Sequence, residues 1–158
     1  MQALTTNEVA GFAAQLTGAQ LALVGATQAA GLTTTALANI GALTTPTFSS
    51  ISTQALSAFT STQVNALGSH ISASQIIALS TLGITGVSTT SLNALTSVDI
   101  QAISTKDIPT LSTTQIGGLV TAQVQFLTSL QLHALTYAEV QVLMPEIATS
   151  QIQYLSVV

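Results

Sequence analysis

The side chains that could move protons or hold a metal number eight in these 158 residues: the carboxylates Glu8, Asp99, Asp107, Glu139 and Glu146, the imidazoles His70 and His133, and the sole ammonium, Lys106. General acid–base work needs such groups to converge on one reacting atom. A metal needs them repeated at ligand spacing. Neither histidine has a second His or Asp at that spacing on its own segment. Cysteine is absent, which excludes disulfide frameworks and thiol metal sites. Ser and Thr are so frequent that one falling near a histidine says nothing about a nucleophile. There is no Gly-x-Ser-x-Gly elbow, phosphate loop or Gly- and Asp-rich calcium nonapeptide. The pair Gly117-Gly118 reads as a place where two segments approach closely. These residues predict no enzyme, no cofactor and no metal site.

What the carboxylates share is a place in a repeat. From Ile71 to Leu143 every eighth residue is aliphatic: Ile71, Leu79, Val87, Leu95, Ile103, Leu111, Leu119, Leu127, Leu135 and Leu143. Five places behind runs a second series, Ile76, Ile84, Leu92, Ile100, Ile108, Ile116, Val124, Leu132 and Val140. After each octad aliphatic comes a hydroxyl (Ser72, Ser80, Ser88, Thr96, Ser104, Ser112, Thr128, Thr136), and only Val120 breaks the row. Three places later stand Gln75, Asp99, Asp107, Gln115, Gln123, Gln131 and Glu139, with Gly83 and Ser91 as exceptions. A Ser or Thr followed after three residues by Gln, Glu or Asp is a capping box, and the flanking aliphatics are spaced as a hydrophobic staple. Asp99, Asp107 and Glu139 sit at the box position, as does Glu8 in the upstream frame. Glu146 falls in a first turn, where the helix dipole favours an acid. Helix starts therefore account for the acids.

One octad thus encodes one helix start. A continuous helix cannot carry the pattern, because eight residues at 3.6 per turn rotate the apolar positions by roughly 80° per repeat. The chain must stop and restart, giving helices of roughly six residues that are too short to persist alone and must stack. The fold class predicted is an all-α solenoid of very short stacked helices, one per octad. A β-solenoid is the alternative, since Thr, Val and Ile favour strands and Gln123–Leu127 alternates polar and apolar residues. Against it, apolar spacings of five and three are both odd and would send side chains to opposite faces of one strand.

The frame extends upstream through Leu4 and Phe12, then Leu16, Val24, Leu32 and Ile40, then Leu43, Ile51, Phe59 and Leu67. It is broken by steps of three or four residues, about one helical turn, so that an insertion can lengthen a helix and return the apolar stripe to its face. Segment 6–16 is the best candidate for a longer helix, with Val9, Phe12 and Leu16 on one side. The final unit, Ile147–Leu155, has Ala148 at the cap and is expected to fray. Pro145 and Pro46 are expected within first helical turns, where a missing amide is tolerated. Pro109 should distort or shorten its unit. The whole chain, 1–158, reads as one repeat domain, with interrupted octads over 4–67, regular octads over 71–143 and a degenerate unit over 147–155.

Hydrophobic residues make up 47% of the chain and charged residues 4%, for a net charge of −4. With one cation there is no electrostatic basis for binding nucleic acid or an acidic membrane. Hydroxyls and amides interrupt every apolar stretch, so no run approaches the ~18 residues of a membrane span. No basic-then-apolar signal peptide is read at the start. Secretion by a C-terminal signal, or excision from a longer chain, would leave the same trace.

Runs such as Leu111-Ser-Thr-Thr-Gln-Ile and Phe59-Thr-Ser-Thr-Gln-Val resemble the aliphatic-Thr-Thr-x-Gln-Ile/Val tandem arrays of very large secreted or surface-exposed bacterial adhesin-like proteins. The resemblance covers most of the chain, implies an extracellular or cell-surface scaffold and brings no functional residues with it. The cap-plus-aliphatic phrase is also similar to the start of the repeats in transcription-activator-like effectors, which are much longer and carry the basic residues this chain lacks.

Two roles are expected. The first is a structural module, a stalk, spacer or filament unit, whose partner is itself, head to tail, or adjoining repeats of a longer chain. An end in Tyr154, Leu155, Val157 and Val158 and the scarcity of charge favour it. The second is a hydroxyl surface for ice, mineral or polysaccharide, made of the residue after each cap: Thr81, Thr89, Ser97, Thr105, Thr113, Thr121 and Ser129.

Overall fold

The structure is a computed structural model that describes residues 5–12, 15–41 and 49–155, without the side chains of residues 39–41 and 69. Leu4, Leu43, Pro46, Val157 and Val158, and the side chain of Ile40, lie outside that description. The chain forms two compact units, Met1–Val87 and Ser88–Val158.

In the first unit the helices are α1 (Thr6–Phe12), α2 (Gly18–Leu21), α3 (Ala26–Ala29), α4 (Thr34–Gly41), α5 (Thr53–Ser57), α6 (Ser61–Leu67), α7 (Ala73–Ile77) and α8 (Thr81–Ile84). In the second they are α9 (Thr89–Asn93), α10 (Ser97–Ala102), α11 (Thr113–Gly117), α12 (Thr121–Gln125), α13 (Ser129–Ala134) and α14 (Tyr137–Leu143). Short 3₁₀ helices occupy Gly68–His70, Ile108–Thr110 and Thr149–Tyr154. There is no strand among the described residues. The fold is an all-α solenoid of short helices packed in series, and the β-solenoid alternative falls.

The octad explains each helix. Thr128 begins one in extended conformation (φ −69°, ψ 160°), and its hydroxyl accepts the amide of Gln131. In return Gln131 Oε1 accepts the Thr128 amide at 3.0 Å. Similar boxes open α2, α6, α10, α11 and α14. After about one α-turn the ladder tightens to i→i−3 bonds, such as Leu79 N to Ile76 O, which satisfy a terminal carbonyl and end the helix. The next cap then restarts it. These reversals need no left-handed residue: the one positive φ among the described residues is at Gly68 (59°), where the four-residue step after Leu67 is absorbed by a 3₁₀ turn.

Helices three octads apart in sequence lie against each other: α9 packs on α11, α10 on α12 and α11 on α14. The ten octad aliphatics from Ile71 to Leu143 are all buried, as are Ile76, Ile84, Leu92, Ile100, Ile108, Ile116, Val124 and Leu132. Only Val140 of the second series is half-buried. Each buried aliphatic contributes about 1.5–3 kcal/mol of transfer free energy, available only once a neighbouring coil covers it.

Several expectations need correcting. Phe12 does not share the buried side with Val9 and Leu16: α1 ends there and the ring is 54% exposed. Pro145 lies in a turn beyond the C-cap of α14, where a residue unable to continue a helix is equally suited, and it opens no helix. Asp107 is buried but closes no capping box: its amide bonds the Ser104 carbonyl, and the Ser104 hydroxyl takes the Lys106 amide instead. Pro109 does distort its unit, which is a turn followed by the 3₁₀ helix Ile108–Thr110. The final unit is also 3₁₀, and Ala148 offers no side-chain cap, although Gln151 Oε1 still accepts the Ala148 amide at 3.0 Å.

Candidate functional site

Most of the polar side chains that fold into the interior are glutamines of the boxes, beside Ser91, Asp107 and Glu139. Gln63, Gln75, Gln115, Gln123, Gln131 and Gln151 are all buried. In the first unit the Nε2 of Gln63 donates to the carbonyls of Ala29 and Leu32, each at 2.8 Å. In the second, Gln123 Nε2 donates to Leu92 O and Leu95 O, both at 2.9 Å, and Gln131 Nε2 to Ile100 O and Ile103 O, both at 2.8 Å. Gln151 Nε2 reaches Val124 O at 2.9 Å. One end of the carboxamide therefore closes a helix start while the other fastens that helix to backbone 27 to 34 residues upstream. With helix pairs packing three octads apart, a coil closes after three to four octads.

The local pattern does not announce this second role, but a signal for it exists. Glu would serve a capping box as well as Gln, yet Gln recurs at the box position; only an amide has hydrogens left to give. Where the acid stands, the outcome depends on exposure. Thr96 and Asp99 form their box near the surface, with Asp99 Oδ2 accepting the Thr96 amide at 3.0 Å and hydroxyl at 2.6 Å. Glu8 accepts the Thr5 amide at 2.7 Å and its hydroxyl at 2.8 Å, and these bonds, the backbone one first, hold its carboxyl below the usual glutamate range. Glu139 Oε2 accepts the Thr136 amide at 2.6 Å and the hydroxyl at 2.7 Å, but the residue is only 1% exposed.

The seven hydroxyls after the caps scatter. Thr81, Thr105, Thr113, Thr121 and Ser129 are exposed, while Thr89 and Ser97 are half-buried. All but Thr105 are first residues of helices; Thr105 lies in the turn before Pro109. Hydroxyls three octads apart can line one groove. Thr89 and Thr113 do so, lining with Thr114, Asn93, Gly117, Gly118 and Val142 an open groove of about 470 Å³. The glycines let helices close up: a Cβ on Gly117 would lie 2.9 Å from Val142 Cγ1, and one on Gly118 would lie 3.0 Å from Thr89 Cγ2. The Thr121 hydroxyl is engaged by the carboxylate of Glu146. His70 and His133 are exposed and lie on separate elements. Among the described residues no three His, Asp or Glu side chains cluster as a metal set, and no helix is long and apolar enough to cross a membrane.

The ALTTAQ repeat family matches residues 100–137. That stretch holds Leu111-Ser-Thr-Thr-Gln-Ile and Leu119-Val-Thr-Ala-Gln-Val and runs from within α10 to the first residue of α14. It is similar to a known repeat segment. No curated protein and no solved structure matches the chain.

Proposed function

We propose that this chain is a structural repeat module, a stalk, spacer or self-stacking filament subunit of an extracellular or cell-surface bacterial protein. The observation that carries the reading is the use of the interior polar groups. The rungs at Gln63, Gln123, Gln131 and Gln151 are each bonded both to their own helix start and to the coil beneath, so the repeat's recurring chemistry serves stacking. The match of residues 100–137 to a repeat family supports a module that is extended by adding units. Its partners are further octads, from a second copy or from the same chain, with no nucleic acid and no membrane insertion; it is not an enzyme. The scarcity of charge leaves little repulsion against such contacts. Light scattering and negative-stain imaging across a concentration series test this. The expected result is concentration-dependent rods or fibres, and a compact monomer at every concentration contradicts it.

A second reading, a neutral hydroxyl surface for ice, mineral or polysaccharide, is favoured by the groove that brings Thr89, Thr113 and Thr114 together beside Asn93. Thermal hysteresis and glycan arrays test it; activity lost in a Thr113→Val variant supports the reading, and silence in both assays removes it.

A further inference from the structure

The rung at Glu139 lacks what the glutamine rungs have. Its Oε2 closes the box on Thr136, which leaves Oε1 in the place that Nε2 occupies in Gln123 and Gln131. That oxygen is buried and has no hydrogen-bond partner. The register of the neighbouring rungs, 31 and 28 residues upstream, assigns to position 139 the carbonyls of Ile108 and Leu111. A carboxylate can only accept, and so can a carbonyl; an acceptor buried without a donor loses its hydration and gains nothing in return. The octad beneath is irregular as well, being the turn and 3₁₀ helix around Pro109. On either side the stack is fastened, by Gln131 to Ile100 and Ile103 and by Gln151 to Val124.

We infer that Glu139 makes α14 a built-in point of local opening, a segment that lifts from the coil beneath while the rungs at Gln131 and Gln123 stay closed. Local openings of this kind are drawn from the segments with the fewest satisfied contacts. The opening is internal to the second unit.

Amide hydrogen exchange on the full chain, followed by NMR at neutral pH, tests this in the wild type, Glu139→Gln and Gln131→Glu. In the wild type the amides of Val140 and Met144, which bond Thr136 O and Val140 O, should exchange roughly tenfold or more faster than that of Leu132, which bonds Thr128 O. Glu139→Gln supplies the missing donor and should slow Val140 and Met144 by roughly tenfold or more, leaving Leu132 unchanged. Gln131→Glu should speed Leu132 toward the rate seen in α14. If that variant does not fold, the wild type and Glu139→Gln decide alone. Val140 protected as well as Leu132 in the wild type, or exchange in α14 indifferent to Glu139→Gln, overturns the inference.

Discussion

Gln131 and Ile103 are 28 residues apart in the chain and 2.8 Å apart in space, joined by a bond from the carboxamide nitrogen to the main-chain carbonyl. The oxygen of the same carboxamide holds the amide of Thr128 and so starts α13. Helix initiation and coil register are thereby one interaction. An apolar group can replace neither end of it, and an acid can replace only the oxygen end.

The same bond at Gln123 gives the first prediction. Gln123→Glu keeps the acceptor for the Val120 amide but removes the hydrogens given to Leu92 and Leu95. It should destabilise by about 1–3 kcal/mol in urea unfolding. Gln125→Glu, exposed on the same helix, should stay within about 0.5 kcal/mol. Equal effects at both positions would deny the cross-coil bond.

Val120 is the one cap in the regular octads without a hydroxyl, and its side chain is half exposed. Val120→Thr should therefore stabilise by about 0.5–1 kcal/mol, the new hydroxyl accepting the Gln123 amide. Thr128→Ala should cost about 1 kcal/mol by the reverse argument. Thermal melts of the two variants should move in opposite directions.

Two glycines should respond oppositely to alanine. A Cβ on Gly86 would sit 2.0 Å from the Ser61 carbonyl oxygen, against backbone that cannot step aside. Gly86→Ala should lose about 3 kcal/mol or more. At Gly11, exposed in α1, nothing lies within 4 Å, and Gly11→Ala should gain about 0.5–1 kcal/mol by restricting the unfolded chain. Denaturant midpoints for the pair check this.

The pH dependence of α1 follows from Glu8. Bonds from Thr5 favour the charged carboxylate and depress its titration below the ordinary 4.5. A depressed carboxyl contributes stability above its unfolded value and loses it as pH falls through the folded one. The Thr5 amide resonance should thus lose its bonded shift only below about pH 4.5, together with titration of the Glu8 carboxyl. A midpoint at or above the ordinary value would contradict the bond.

How much of this is written in the octad can be judged residue by residue. The caps and boxes at Thr96, Ser112, Thr128 and Thr136 are local, spanning three residues, and the sequence shows them directly. The disruption at Pro109 is equally local, since a missing amide and a fixed φ act where they stand. The number of octads per coil was not legible. It is set by contacts such as Gln131 to Ile100, between residue types that recur along the repeat, so no spacing in the sequence singles out one partner. Phe12 and Pro145 were misplaced for a related reason: both stand at breaks in the frame, where the octad rule stops and packing decides. Which of the hydroxyls after the caps share a groove, Thr89 with Thr113, depends again on the coil.

The most direct test is the side-chain amide of Gln131, observed by NMR in the folded protein. Its Nε2 protons should exchange slowly and show hydrogen-bond scalar couplings to the carbonyl carbons of Ile100 and Ile103. Rapidly exchanging protons without such couplings, and without Overhauser contacts to residues 100–103, would contradict the cross-coil bond.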